Sequence, residues 1–187
     1  MKSVLLIFAL VLELVFTPAH AEVCADTDIS KLEACSVRNY RIVDQALGKK
    51  YHQLMEESDG STQKALILAE KSWINYKEKS CEINGNAGAE ASLDKLGCLI
   101  KLSKLRSDEL SYLSNGIGMF GFFSHLAFEA ADDSVNREIV IEKLTSKFAS
   151  SKDSYWRSYV AQNCKMTSTL LAEDQNMCVA RLTFYKN

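Results

Sequence analysis

The sequence predicts an all-α fold: disulfide-stapled helical hairpins packed as a small bundle of about five helices. Three observations point there. The single proline, Pro18, lies near the start, so the rest of the chain carries no residue that would break a helix interior. Apolar residues recur at steps of three and four along most of it. Six cysteines follow an apolar leader, which places them in a compartment where they can clip helices together.

The elements follow in order. Residues 1–21 read as a signal peptide: Lys2 begins it, Val4 to Phe16 are apolar apart from Glu13, and Ala19-His20-Ala21 is a small-x-small cleavage site. The apolar run is shorter than the roughly 20 residues a helix needs to cross a bilayer, so no membrane span is expected after cleavage. Glu22 is charged where a lipid-attachment motif before Cys24 would need a small or apolar residue. The first helix covers about residues 38–57, on the stripe Tyr40, Val43, Leu47, Tyr51 and Leu54. Ser58-Asp59-Gly60 stops it, and Asp59 or Ser61 caps the next, which carries Ala65, Ala69, Trp73 and Tyr76 on one face and runs to about Cys81. After the turn cluster 84–88 comes a third helix, with Leu96, Leu99, Leu102, Leu105, Leu110 and Leu113 inward.

Residues 115–133 form an apolar, glycine-containing connector, read as folded over the core or else as an exposed sticky patch. The C-terminal part, 134–187, is a helical hairpin. One long helix runs from Asp132-Asp133-Ser134 to about Cys164, and a last one covers about 173–185. Trp156, Tyr159 and Cys164 repeat the spacing of Trp73, Tyr76 and Cys81, and each set meets a second cysteine after a polar turn. Duplication and chance similarity both account for this echo. With it, the chain divides into 1–21, a helical domain at 22–114, the connector at 115–133 and the hairpin at 134–187.

Cys24, Cys35, Cys81, Cys98, Cys164 and Cys178 are read as disulfides. Their order suggests Cys24–Cys35, Cys81–Cys98 and Cys164–Cys178, one of the fifteen pairings six cysteines allow. Metal ligation is disfavoured because there is no C-x-x-C and the histidines beyond the leader, His52 and His125, lie far apart. The composition is ordinary for a globular chain: 187 residues, 47% hydrophobic, 25% charged, net charge −2. That balance argues against nucleic acid as partner, since phosphate binding needs a concentrated basic surface. H-E-x-x-H, G-x-S-x-G and a phosphate-cradling glycine loop are all missing, so neither catalytic residues nor a cofactor are assigned and the chain reads as a non-enzyme.

The run Trp73-Ile74-Asn75-Tyr76-Lys77-Glu78-Lys79-Ser80-Cys81 resembles the W-x-x-[YF]-[RK]-x-x-x-C core of the LprI-type lysozyme inhibitor family. Asp44, Leu47, Tyr51 and Leu54 fit that family's preceding helix; Cys98, Arg106, Glu109 and Leu110 fit its closing one. The similarity covers about Cys24 to Leu113. Gly48 stands where the family usually has asparagine, and Lys77 where arginine is preferred. The resemblance implies a small, exported, disulfide-bonded helical protein, some relatives of which bind and inhibit lysozyme. A protein partner, lysozyme, is therefore the expectation. An envelope interaction module without that target is the alternative, with the connector as its docking surface. A small-molecule carrier would require an apolar cavity.

Three further expectations concern particular residues. Trp73 and Trp156 should pack in the core rather than stack on a ligand. Arg106 either pairs with Glu109 at the surface or braces the hairpin from inside, with the inner role favoured. The acidic groups Glu56-Glu57-Asp59, Asp132-Asp133 and Glu173-Asp174 serve either as a negative patch for a basic lysozyme or, for the last two, as helix caps. If a turn occludes a lysozyme cleft, 84–88 and 167–171 are the candidates, each beside a cysteine.

Overall fold

The computed structural model describes residues 22–83, 90–129 and 136–186. The leader, the turn at 84–88 and the acidic pair Asp132-Asp133 lie outside the described residues. Among those described, seven helices and no strands are found: α1 (Ile29–Glu57), α2 (Gly60–Ser80), α3 (Ala91–Asn115), α4 (Phe120–Glu129), α5 (Arg137–Ala149), α6 (Ser154–Leu171) and α7 (Gln175–Tyr185). The fold is all-α, and the count exceeds the expected five for two local reasons.

The first is the connector, part of which folds into α4. Gly116, at φ 71°, ends α3 in the left-handed conformation, and its N–H donates to the Tyr112 carbonyl at 2.8 Å. Gly118 and Met119 also have positive φ, which turns the chain back so that Phe122 and Leu126 bury against α7. The Phe122 N–H donates to the Tyr185 hydroxyl at 2.9 Å. A Cβ at Gly121 would stand 2.9 Å from that same hydroxyl, so a larger residue there would have to push the Tyr185 hydroxyl aside. Of the connector's described residues, Phe122 and Leu126 cover a core, while Ile117, Phe120 and Phe128 stay exposed.

The second is a break in the long C-terminal helix. Asp153 accepts the Trp156 N–H at 3.0 Å and starts α6 afresh, while Arg157 donates to the Ala149 and Ser151 carbonyls at the end of α5. The α6 helix then runs past Cys164 to Leu171, so residues 167–171 are the last turn of a helix rather than a loop, and Thr167 is fully buried. Similarly, α1 begins at Ile29 because Asp28 caps Ser30, and its buried stripe reaches back through Asn39 and Cys35.

Sequential helices are not the closest neighbours throughout. α1 lies along α3, α2 along α6, and α5 along α7. The main core joins both halves of the chain: Leu47, Leu54, Leu66, Trp73, Tyr76 and Leu110 pack with Trp156, Tyr159, Val160, Met166 and Leu182. The two echoed tyrosines meet there, Tyr76 and Tyr159 stacking with centroids 5.7 Å apart, and Tyr76 also packs on Trp156 at 5.1 Å. Trp73 and Trp156 are both buried, in keeping with a packing role. The disulfides are sequential, with Cα–Cα distances of 5.8 Å for Cys24–Cys35 and 5.6 Å for Cys81–Cys98 and for Cys164–Cys178. Loops of this length stabilise by about 3 kcal/mol each in the chain-entropy account.

Candidate functional site

Because α1 packs on α3 and α2 on α6, the α1–α2 hairpin is splayed, leaving an open groove of about 580 Å³ between its helices. From α1 it is lined by Tyr40, Asp44, Leu47, Gly48 and Tyr51, which follow one another at helical steps and therefore share a face. From α2 come Ile67, Glu70, Lys71, Trp73, Ile74, Asn75 and Lys77. Ile67 and Ile74 are 48% and 39% exposed, so the rim offers aliphatic surface to an incoming group.

Lys77 is held unusually tightly for a lysine. Its side chain is 10% exposed, with Nζ 4.6 Å from the Trp73 ring centre and 5.9 Å from that of Tyr40. Nζ donates to the Tyr40 hydroxyl at 3.4 Å and lies 3.8 Å from the half-exposed Asp44 carboxylate. The stem thus packs on aromatic rings while the charge is balanced across the groove. At the floor, burial raises the Tyr51 phenol above its usual pKa, assisted by Glu70 and opposed by Arg106.

Glu70 leads from the groove into a buried ionic network. Arg106 Nε donates to Glu70 Oε2 at 2.9 Å, and its Nη1 to Asn163 Oδ1 at 2.7 Å. Asn163 Nδ2 donates to Glu109 Oε1 at 2.7 Å, and Arg181 Nη1 donates to Glu109 Oε2. Arg181 also grips Glu173 with two hydrogen bonds, of 2.9 and 2.8 Å, and lies over the Tyr112 ring at 4.5 Å. Burial alone would lower the pKa of Arg181; Glu109 and Glu173 outweigh it and raise the pKa above the usual value. Arg106 behaves likewise, with Glu70 as its strongest carboxylate partner. The core also holds a cavity of about 30 Å³ beside Arg106, Glu109 and Trp156, room for one water and far short of a carried small molecule.

The residues singled out in the sequence therefore divide by place. Asp44, Leu47, Tyr51, Trp73 and Lys77 come together on the groove. Tyr76 and Leu110 enter the core, and Cys81 and Cys98 clip α2 to α3. Arg106 braces the first half from inside through Glu70 on α2 and reaches α6 through Asn163, while Glu109 reaches the second half through Asn163 and Arg181. Of the acidic groups, Asp59 and Asp174 cap α2 and α7, while Glu173 belongs to the network. Glu70, Asn163 and Arg181 are not among the site residues read from the sequence, and Glu173 is read there only as part of an acidic patch or a helix cap. Their only advance signal is that a buried Arg106 and Glu109 need partners, which spacing along one helix cannot name.

Comparison with known proteins points to the part of the chain that carries the groove. Residues 24–110 match the family model described as "Lysozyme inhibitor LprI". An uncharacterized protein of Rhizobium meliloti (strain 1021) is 29% identical over 96 residues, which cover 49% of this chain and 69% of that relative. No solved structure gives a significant match. Residues 24–110, which hold the groove helices and the α3 segment that supports them, are thus the part of this chain that is similar to the LprI lysozyme inhibitor family.

Proposed function

We propose that this chain is an exported, non-enzymatic binding protein, periplasmic or secreted, that blocks a peptidoglycan-cleaving lysozyme through its α1–α2 groove. One observation carries the reading: five residues of the family motif, from two helices, converge on the one surface where those helices part. A rigid, disulfide-clipped frame around that surface loses little entropy on association, so more of the contact energy appears as affinity. Aromatic residues in a partly desolvated depression, surrounded by aliphatic rim, also have the make-up of a binding hot spot.

Gly48 offers a clean probe of the groove. It lies inside α1, where glycine costs about 1 kcal/mol relative to alanine, yet a Cβ built there meets nothing within 4 Å. Gly48→Leu should leave the fold intact or more stable while filling the groove. The test is lysozyme clearing of a bacterial suspension, with and without oxidised wild-type protein. Protection by the wild type, weakened about tenfold or more by Gly48→Leu, is expected. Unchanged clearing at a large molar excess of wild-type protein overturns the lysozyme reading; equal protection by both proteins overturns the groove.

A second reading, an envelope interaction module with no lysozyme target, is favoured by Ile117, Phe120 and Phe128, which are 60%, 67% and 78% exposed. Light scattering with apolar-dye binding separates the two. A strictly monomeric particle that binds no dye removes the second reading.

A further inference from the structure

Around Glu22, side chains of α1 grip both the backbone and the carboxylate of one residue. The Glu22 N–H donates to Asn39 Oδ1 at 2.9 Å, and Asn39 Nδ2 donates back to the Glu22 carbonyl at 2.8 Å. Arg38 adds two hydrogen bonds, Nε and Nη2 to Glu22 Oε1 at 2.8 and 2.6 Å. Asn39 is buried and also donates to Cys24 Sγ at 3.2 Å, so the same amide supports the Cys24–Cys35 disulfide. Four hydrogen bonds on a residue outside any helix make a built receptor. Independently, Ala19-His20-Ala21 places a small-x-small cleavage site immediately before this residue.

We propose that Arg38 and Asn39 form a receptor for the N-terminus created when an export peptidase cuts between Ala21 and Glu22. Hydrolysis of that bond adds one water: the hydroxyl goes to the Ala21 carbonyl carbon, and a proton goes to the Glu22 nitrogen. The released amine takes up a further proton from solvent. A backbone amide with one donor thereby becomes an ammonium with three, held where Asn39 Oδ1 already accepts. A charged donor strengthens that hydrogen bond. Capture of a free N-terminal amine is an established recognition mode, here served by a side-chain amide rather than by backbone groups. Processing then completes the clamp, and the clamp fixes the chain that carries the first disulfide.

The test uses the full-length chain exported from cells and purified with its disulfides intact, and it is independent of any target. Intact mass should show a chain beginning at Glu22. The rate at which an amine-selective acylating reagent labels the N-terminus near neutral pH is then compared with that of Arg38→Ala and Asn39→Ala, each checked for helix content by circular dichroism. Labelling about tenfold faster in Asn39→Ala, and faster to a smaller degree in Arg38→Ala, is expected from loss of charge-assisted hydrogen bonds. Arg38 is exposed, so its variant remains informative if Asn39→Ala fails to fold. A purified chain that begins at another residue overturns the proposal. So does a labelling rate unchanged in Arg38→Ala, or in a folded Asn39→Ala.

Discussion

Arg181 is fully buried and answers to two carboxylates, Glu109 on α3 and Glu173 just before α7. Replacing it with methionine keeps much of its volume but strands both acids without a counter-charge. Such a loss costs about 3–5 kcal/mol, so Arg181→Met should lower the urea midpoint far more than any surface substitution. Asp59 shows the opposite regime, a solvent-facing cap. Hydrogen bonds from the Thr62 N–H and the Ser61 hydroxyl hold its pKa down, from the ordinary 3.8 to about 2. A folded-state pKa below the unfolded one means that its stabilisation is present above pH 3.8 and is lost as the pH falls towards 2. In Asp59→Asn, urea midpoints measured from pH 5 down to pH 2 should decline less steeply than in the wild type. An identical slope in both proteins would remove this role for Asp59.

At the scale of elements, the break between α5 and α6 has a definable chemistry. Asp153 caps α6 and also pairs with Lys186 at 3.1 Å, tying the start of α6 to the end of α7. Asp153→Ala removes both, with an expected cost of about 1–2 kcal/mol by chemical denaturation, most of it from the cap. The side chains Val140, Leu144, Phe148, Ser151 and Tyr155 step along at helical spacing and suggest one helix, although Ser151 is polar and Tyr155 is 43% exposed, and Asp153 offers a cap between them. The face turned inward changes at the break, from Val140 in α5 to Trp156 and Tyr159 in α6, so the cap residue, rather than the spacing, carried the information. The connector escaped a helical assignment for another reason. Its glycines argue for irregular backbone, and only the two at the turn serve that purpose; Gly121 lies within α4, close to the Tyr185 hydroxyl. By contrast, the existence of α2 and α3 was legible because stripes, turns and cysteines agreed, although the buried face of α3 is Ser103, Arg106, Glu109, Leu110 and Leu113, while Leu96, Leu99, Leu102 and Leu105 are only partly buried.

For the whole molecule, the part hidden from the sequence was the arrangement of helices. Spacing showed that Trp73-to-Cys81 echoes Trp156-to-Cys164, but not that the two helices face each other through Tyr76 and Tyr159. Nor could it reveal that α1 leaves α2 to pack on α3, the event that opens the groove. Half of the candidate site, the residue identities, was legible; its concavity was not, because it results from pairings between helices distant in the chain.

That cross-half pairing makes the two ends of the polypeptide mutually dependent for their integrity. A polypeptide stopped after residue 114 would retain Arg106 and Glu109 but none of Asn163, Glu173 or Arg181. It would also uncover Tyr76, against which Trp156 and Tyr159 pack. Such a fragment should bind an apolar fluorescent dye and melt without a sharp transition, even with Cys24–Cys35 and Cys81–Cys98 formed. A cooperative melt matching that of the whole protein would show that the family-matched stretch stands alone. Otherwise the C-terminal residues act as an intramolecular chaperone that never leaves, and amino-acid changes far from the groove will alter its shape as surely as changes within it.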